Sequence, residues 1–185
     1  MPILAKERAI FPDDLLETEF TESSERDWRA LFTKPRQEKA LARNLASDGI
    51  PFFLPLVPKD NRIRGKRVTS YIPLFTGYVF LYATEEERVR SLQSNRISTV
   101  LPVQDQRQLF LDLRQVHQLI KTDAPLTIER RLVAGQRVRI RSGAMLGVEG
   151  TVTTRRGKTR LLVAVDMLQS GVSVEIDDYM VGPIG

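Results

Sequence analysis

Tyr71-Ile72-Pro73-Leu74-Phe75-Thr76-Gly77-Tyr78-Val79-Phe80-Leu81-Tyr82 is the stretch around which the rest of the chain is organised. It holds three tyrosines and two phenylalanines in twelve residues of a chain that is 7% aromatic overall. From Gly77 onward large side chains alternate, so Tyr78, Phe80 and Tyr82 share one face of a strand and Val79 and Leu81 share the other. Such a strand is either a central core strand or one buried on a single face, with the aromatic face left as a docking surface. Periodicity does not separate the two readings, so the flanking sequence has to.

On its N-terminal side, Lys59 to Arg67 carries five bases (Lys59, Arg62, Arg64, Lys66, Arg67) around Gly65 and reads as a basic hairpin tip. Ile50 to Val57 has strand character, with Pro51 and Pro55 arguing for an edge position. Further back, Trp28-Arg29-Ala30-Leu31-Phe32 puts Trp28, Ala30 and Phe32 on one strand face. Thr33 is placed to cap a helix that tolerates Pro35 in its first turn and ends near Ser47, with Gly49 as its C-cap. Leu41, Ala42 and Leu45 make the inner stripe of that helix, and Arg36, Lys39 and Arg43 the outer face. Residues 1–26 show no sustained period and read as a flexible leader with a short apolar anchor at Ile10, Phe11, Leu15 and Leu16.

On the C-terminal side, Thr84 caps a short helix from Glu85 to about Gln93, with acids in its first turn. Ile97 to Val103 is a strand. Leu109, Leu113, Val116 and Ile120 repeat at helical spacing over 106–121. Thr122 to Leu132 contains Pro125 and reads as a linker. Beyond it the pattern is purely β: Val138 and Ile140 alternate with arginines, Arg155-Arg156-Gly157-Lys158 is a turn, and Leu161 to Val165 and Val172, Val174 and Ile176 follow. Five short strands with turn glycines predict a small barrel. The fold class is therefore α+β: an α/β sandwich with an antiparallel sheet over 27–121, a linker over 122–133 and a five-stranded barrel over 134–185.

Composition bounds the chemistry. Cysteine is absent from the 185 residues, which excludes disulfides, cysteine-ligated zinc and thiol catalysis. Catalytic residues, metal ligands and cofactors are not predicted. His117 is the only histidine and sits beside Leu113 and Ile120 at helical spacing. Gly143-Ala144-Met145-Leu146-Gly147 lacks the lysine and hydroxyl residue of a phosphate loop. No run reaches the ~18 apolar residues of a membrane span, and the N-terminus lacks a signal peptide's apolar core, so a cytoplasmic, non-membrane protein is expected.

Charge points to binding. Residues 1–26 hold seven acids and three bases, leaving 25 bases against 16 acids in the rest of the chain. A basic body with an acidic leader suits a polyanionic partner, with the leader competing for the same surface. Two basic runs beside an aromatic strand favour nucleic acid.

The order of motifs resembles the NusG family of transcription elongation factors, which join an NGN domain through a linker to a KOW barrel. Trp28 to Phe32 is similar to the family's first strand. Leu74-Phe75-Thr76-Gly77-Tyr78-Val79-Phe80-Leu81 is similar to its Pro-Gly-Tyr-hydrophobic signature, with Thr76 where proline is usual. Gly135-Gln136-Arg137-Val138-Arg139-Ile140, with Gly143, Gly147, Gly150 and Val152, is similar to the KOW pattern. Arg62-Ile63-Arg64-Gly65-Lys66-Arg67 and Pro73-Leu74-Phe75 resemble the specialised RfaH-like branch.

The resemblance implies a non-enzymatic, monomeric processivity or antitermination factor. Phe75, Tyr78 and Phe80 would face the clamp helices of the largest RNA polymerase subunit. Arg36, Lys39, Arg43, Arg64 and Lys66 would face the non-template DNA strand. The KOW barrel would recruit a small-subunit ribosomal protein or a termination factor. RfaH's His-Thr-Thr element has no counterpart near Arg88-Val89-Arg90-Ser91, and the β-branched residues and glycines of 134–184 predict strands rather than RfaH's helical hairpin. The alternative is a ribosome-associated or RNA-binding KOW protein.

Overall fold

The computed structural model describes residues 7–23, 25–177 and 180–184. The first six residues of the expected leader lie outside them. The chain divides into two compact units, residues 1–106 and 107–185.

In the first unit, the aromatic stretch supplies the middle of a five-stranded antiparallel sheet of order β1-β3-β6-β2-β7. Its strands are β1 (Ile10–Phe11), β2 (Asp27–Thr33), β3 (Phe52–Phe53), β6 (Tyr78–Ala83) and β7 (Ile97–Pro102). Register sets Trp28 opposite Tyr82, Ala30 opposite Phe80 and Phe32 opposite Tyr78. Val79 and Leu81 lie on the other face, where Leu31, Phe52, Ile50 and Leu54 join them in a core covered by Leu41, Ala42 and Leu45 of α1 (Glu38–Ser47). Both faces of β6 are buried over much of its length, since Trp28, Ala30, Phe53 and Phe80 are at most 2% exposed.

Several local expectations are corrected. Thr33 does not cap α1. It ends β2 as a buried residue, and Gln37 stands at the helix N-terminus without a side-chain cap. Residues 34–37 make a turn instead: the Gln37 N–H donates to the Lys34 carbonyl, and Pro35 sits outside the helix. Gly49 does close the helix. Its N–H donates to Ala46 and that of Ile50 to Leu45, with buried Ile50 and Leu45 completing the cap.

Pro55 breaks the expected Ile50–Val57 strand, leaving β3 and a separate β4 (Leu56–Ile63). β3 is not an edge, because β1 of the leader pairs on its outer side, Ile10 opposite Phe53, and Leu16 is fully buried. β4 and β5 (Lys66–Pro73) form a two-stranded ribbon of their own rather than flanking the main sheet. Thr84 caps α2 (Glu85–Leu92) as expected, in a reciprocal box with Glu87. Glu87 also receives both terminal nitrogens of Arg26, at 2.6 and 2.8 Å.

The second unit contains nearly all of α3 (Gln106–Lys121) and an antiparallel sheet of six strands, not five. Its order is β13-β9-β10-β11-β12-β8, from β8 (Leu126–Glu129), β9 (Arg137–Ile140), β10 (Glu149–Arg155), β11 (Lys158–Val165), β12 (Ser170–Glu175) and β13 (Val181–Pro183). The sixth strand, β8, comes from the stretch read as linker and pairs with β12, Val174 opposite Leu126. Weak periodicity hid it, because Leu126 and Thr127 are only half-buried and Ile128 is exposed.

A polar row on α3 meets this sheet. Asp112 accepts from the Asp166 N–H at 3.0 Å, the Gln115 amide exchanges two hydrogen bonds with the Glu149 backbone, and Gln118 donates to the Leu146 carbonyl. Spacings of three residues put these side chains on one helix face. No helix among the described residues is long and apolar enough to cross a membrane.

Candidate partner and nucleic-acid surfaces

Phe75 and Phe80 are 5% and 0% exposed, and their rings meet edge to face at 6.3 Å. They are core residues in this fold. Tyr78 alone of the three predicted aromatics reaches solvent. It packs at 5.3 Å between ring centroids on Phe32, which is 41% exposed. The alternation of β2 puts Phe32 on one face with Trp28 and Ala30, as expected. The antiparallel register of β2 against β6, invisible in either strand alone, makes it Tyr78's partner.

The pair is held from behind by Gly77. At φ +88, a conformation open chiefly to glycine, Gly77 also leaves no room for a side chain: a Cβ there would lie 2.7 Å from the Phe32 ring. Its N–H donates to the buried Glu38 carboxylate at 2.8 Å, and its carbonyl accepts from the Thr33 N–H at 2.8 Å. Glu38 thus ties the start of α1 to the turn before β6. Helical periodicity could not reveal this role, since a glutamate in a first helical turn ordinarily needs no explanation.

The predicted cations fall into two groups. Arg36 is not on the α1 face; it is exposed in the preceding turn at φ 61. Lys39 and Arg43 are on α1, one helical turn apart. Arg43 is held by Glu7 of the leader, an exposed ion pair. A residue not singled out from sequence, Arg96, fixes the turn by donating to Asn44 at 2.7 Å and to Gln37, while its carbonyl accepts from the Lys34 N–H.

The second group sits at the tip of the β4–β5 ribbon. Asp60 takes Arg67, whose guanidinium, with Thr69, holds its carboxyl below the ordinary value. Arg62, Arg64 and Lys66 remain exposed, their side chains without a hydrogen bond or ion pair among the described residues. They frame Ile63, itself 46% exposed. The tip therefore concentrates three unneutralised charges at the end of a narrow arm, a geometry that suits a phosphate backbone.

The family model described as transcription termination factor nusG matches residues 26–137. The chain belongs to the NusG family. That match runs from Arg26, ahead of β2, through the Gly77 turn, all three helices and β8 to Arg137, the first residue of β9. NusG-family proteins are non-enzymatic transcription factors, and family membership implies RNA polymerase binding. No curated protein matches the chain.

Proposed function

We propose that this NusG-family chain is a specialised, RfaH-like processivity or antitermination factor. The observation that carries the reading is the exposed Phe32–Tyr78 pair, clamped by Gly77 and Glu38 in the same unit as an arm tipped with three free cations. Aromatic anchors on a rigid support are the residues that dominate protein interfaces. Phe32 and Tyr78 contact the clamp helices of the polymerase, with Phe75 and Phe80 shaping that surface from beneath. Arg36, Lys39, Arg43, Arg64 and Lys66 contact the non-template strand. A factor that binds the elongating conformation better than the paused one shifts the population toward elongation without chemistry of its own.

The C-terminal sheet is taken to curl into a KOW barrel that recruits a second protein, a small-subunit ribosomal protein or a termination factor. Two contacts across the strand order support closure. Arg155 of β10 pairs with Glu129 of β8 at 3.4 Å, and Arg160 of β11 donates to Thr127 of β8 at 2.9 Å. The domains proposed are a leader over 1–26, an NGN domain over 27–121, a linker over 122–133 and a KOW domain over 134–185, acting as a cytoplasmic monomer.

Copurification with the full chain tests the assignment. Polymerase subunits are expected, and ribosomal RNA in their place would favour the ribosome-associated alternative. Phe32→Ala and Tyr78→Ala should each weaken polymerase binding by about 2 kcal/mol, roughly thirtyfold, with little change in thermal midpoint. Phe80→Ala is the control: it should destabilise the fold by about 3–5 kcal/mol. Unchanged polymerase affinity in both surface variants would refute the site.

A further inference from the structure

Two hairpin tips, one in each unit, carry the same three residues in the same conformation. In the β4–β5 arm they are Arg64 (φ 51), Gly65 (φ 78) and Lys66; between β10 and β11 they are Arg156 (φ 52), Gly157 (φ 75) and Lys158. Each is a two-residue left-handed turn, closed by Ile63 opposite Lys66 in one and Arg155 opposite Lys158 in the other. The first position of such a turn favours asparagine, aspartate or glycine, because an ordinary side chain crowds its own backbone there. Arginine is therefore the locally wrong residue, twice.

Nothing among the described residues compensates for it. Six non-glycine residues have positive φ among the described residues. Asn95 and Asp123 are tolerant types, and Gln169 donates to the Asp166 carbonyl at 2.7 Å. The other three are Arg36, Arg64 and Arg156, all exposed, their side chains without a hydrogen bond or ion pair among the described residues. Local strain that the fold does not repay points to a contact outside it.

The surroundings of Arg156 say what kind. Arg155 pairs with Glu129 at 3.4 Å and Lys158 with Glu175 at 3.1 Å, both solvent-exposed pairs of the sort that add little. Arg130 and Arg131 follow Glu129 directly and are exposed. Among the described residues, the five cations Arg130, Arg131, Arg155, Arg156 and Lys158 thus have two carboxylate partners, Glu129 and Glu175. Residues 154–159, Thr-Arg-Arg-Gly-Lys-Thr, include no apolar side chain to anchor a protein interface.

We infer that the β10–β11 tip, with Arg155, Arg156, Lys158, Arg130 and Arg131, is a second nucleic-acid site that grips the sugar–phosphate backbone. The inference rests on the nucleic-acid reading of the β4–β5 tip and extends it to the C-terminal unit. Each unit thereby carries its own backbone-gripping tip, and each tip adds its own salt-dependent contribution.

The test uses the full-length chain and fluorescence anisotropy with short labelled RNA, single-stranded DNA and duplex DNA over a salt series. Arg156→Asn with Lys158→Gln keeps the left-handed turn and removes two charges; Arg156→Gly with Lys158→Gln is the second variant, should the first misfold. Either pair should lower the slope of log affinity against log salt by about one to two on at least one probe, and the affected probe identifies RNA or DNA. Arg64→Asn with Lys66→Gln should do the same, and the two pairs should add. Wild-type affinity and slope in the Arg156 pair on all three probes, with a loss in the Arg64 pair, would overturn this inference alone. No loss in either pair would overturn the nucleic-acid reading of both tips.

Discussion

Asp112→Asn should make the protein more stable at neutral pH, and by an amount that grows with pH. Asp112 is buried on α3, accepting from Gln108 at 2.7 Å and from the Asp166 N–H at 3.0 Å. Burial raises its pKa from 3.8 to about 6; the nearby Asp166 carboxylate adds to the rise, while the two hydrogen bonds and Arg137 oppose it. A carboxyl whose folded pKa lies above its unfolded value binds protons more tightly in the native state. Its contribution is therefore fully present below pH 4 and is lost as pH rises through about 6.

At pH 7.5 the ionised group costs the fold about 3 kcal/mol, and at pH 4.5 about 1 kcal/mol, from ~1.4 kcal/mol per unit of pKa difference. Asparagine imitates the protonated acid, so the stability difference between variant and wild type should widen by about 2 kcal/mol across that range. Taking the difference cancels the opposite trend of Asp60 and Glu85, whose pKa values Arg67 and Arg88 hold low. The single tryptophan, Trp28, lies in the first unit, so the assay has to be local to the second. The Asp166 amide, which donates to Asp112, should shift in NMR spectra with a midpoint near 6. A midpoint near 4, or a stability difference that does not change with pH, would refute the reasoning.

Two further substitutions test the geometry behind the aromatic pair. Gly77→Ala should cost roughly 2 kcal/mol, from left-handed backbone strain and a Cβ 2.7 Å from the Phe32 ring, with a matching loss of near-ultraviolet circular dichroism. A neutral effect on the midpoint would mean the turn relaxes freely. Thr33→Val should be neutral or stabilising by up to about 1 kcal/mol, since the Thr33 hydroxyl is buried without a hydrogen-bond partner among the described residues. A fall in midpoint on denaturation would reveal a bridging water.

The elements that were legible in the sequence are those whose signal is local. α2 follows from Thr84 as cap and the acids of its first turn, α3 from an apolar stripe long enough to exceed noise, and the β10–β11 hairpin from Arg156-Gly157 between alternating runs. What was missed depends on pairing. β1 is two residues long and exists because β3 offers it an edge, and β8 exists because β12 does. No window over either segment contains its partner. The sequence put these cations on an outer helix face and a hairpin tip, but only the structure separates Arg43 and Arg67, engaged by Glu7 and Asp60, from Arg62, Arg64 and Lys66, whose side chains have no ion-pair partner among the described residues.

The same logic explains why one strand yields both core and surface. β6 has β2 on one side along its whole length, but β3 on the other side reaches only Leu81 and Phe80. Tyr82 is stacked on Trp28 at 5.1 Å, and Phe80 is enclosed between Ala30 and Phe53 in neighbouring strands. Tyr78 lies beyond the end of β3, so its cross-strand neighbour among the described residues is Phe32, and the two rings shelter each other imperfectly. An alternating aromatic strand is therefore sorted by where its neighbours stop, not by its own period. Lengthening β3 toward Tyr78 would bury the pair and gain stability, because the exposed rings are apolar surface left in water. That the chain instead places Pro55 shortly after a two-residue β3 leaves Tyr78 without a β3 partner at the sheet's end, beside the Gly77 turn.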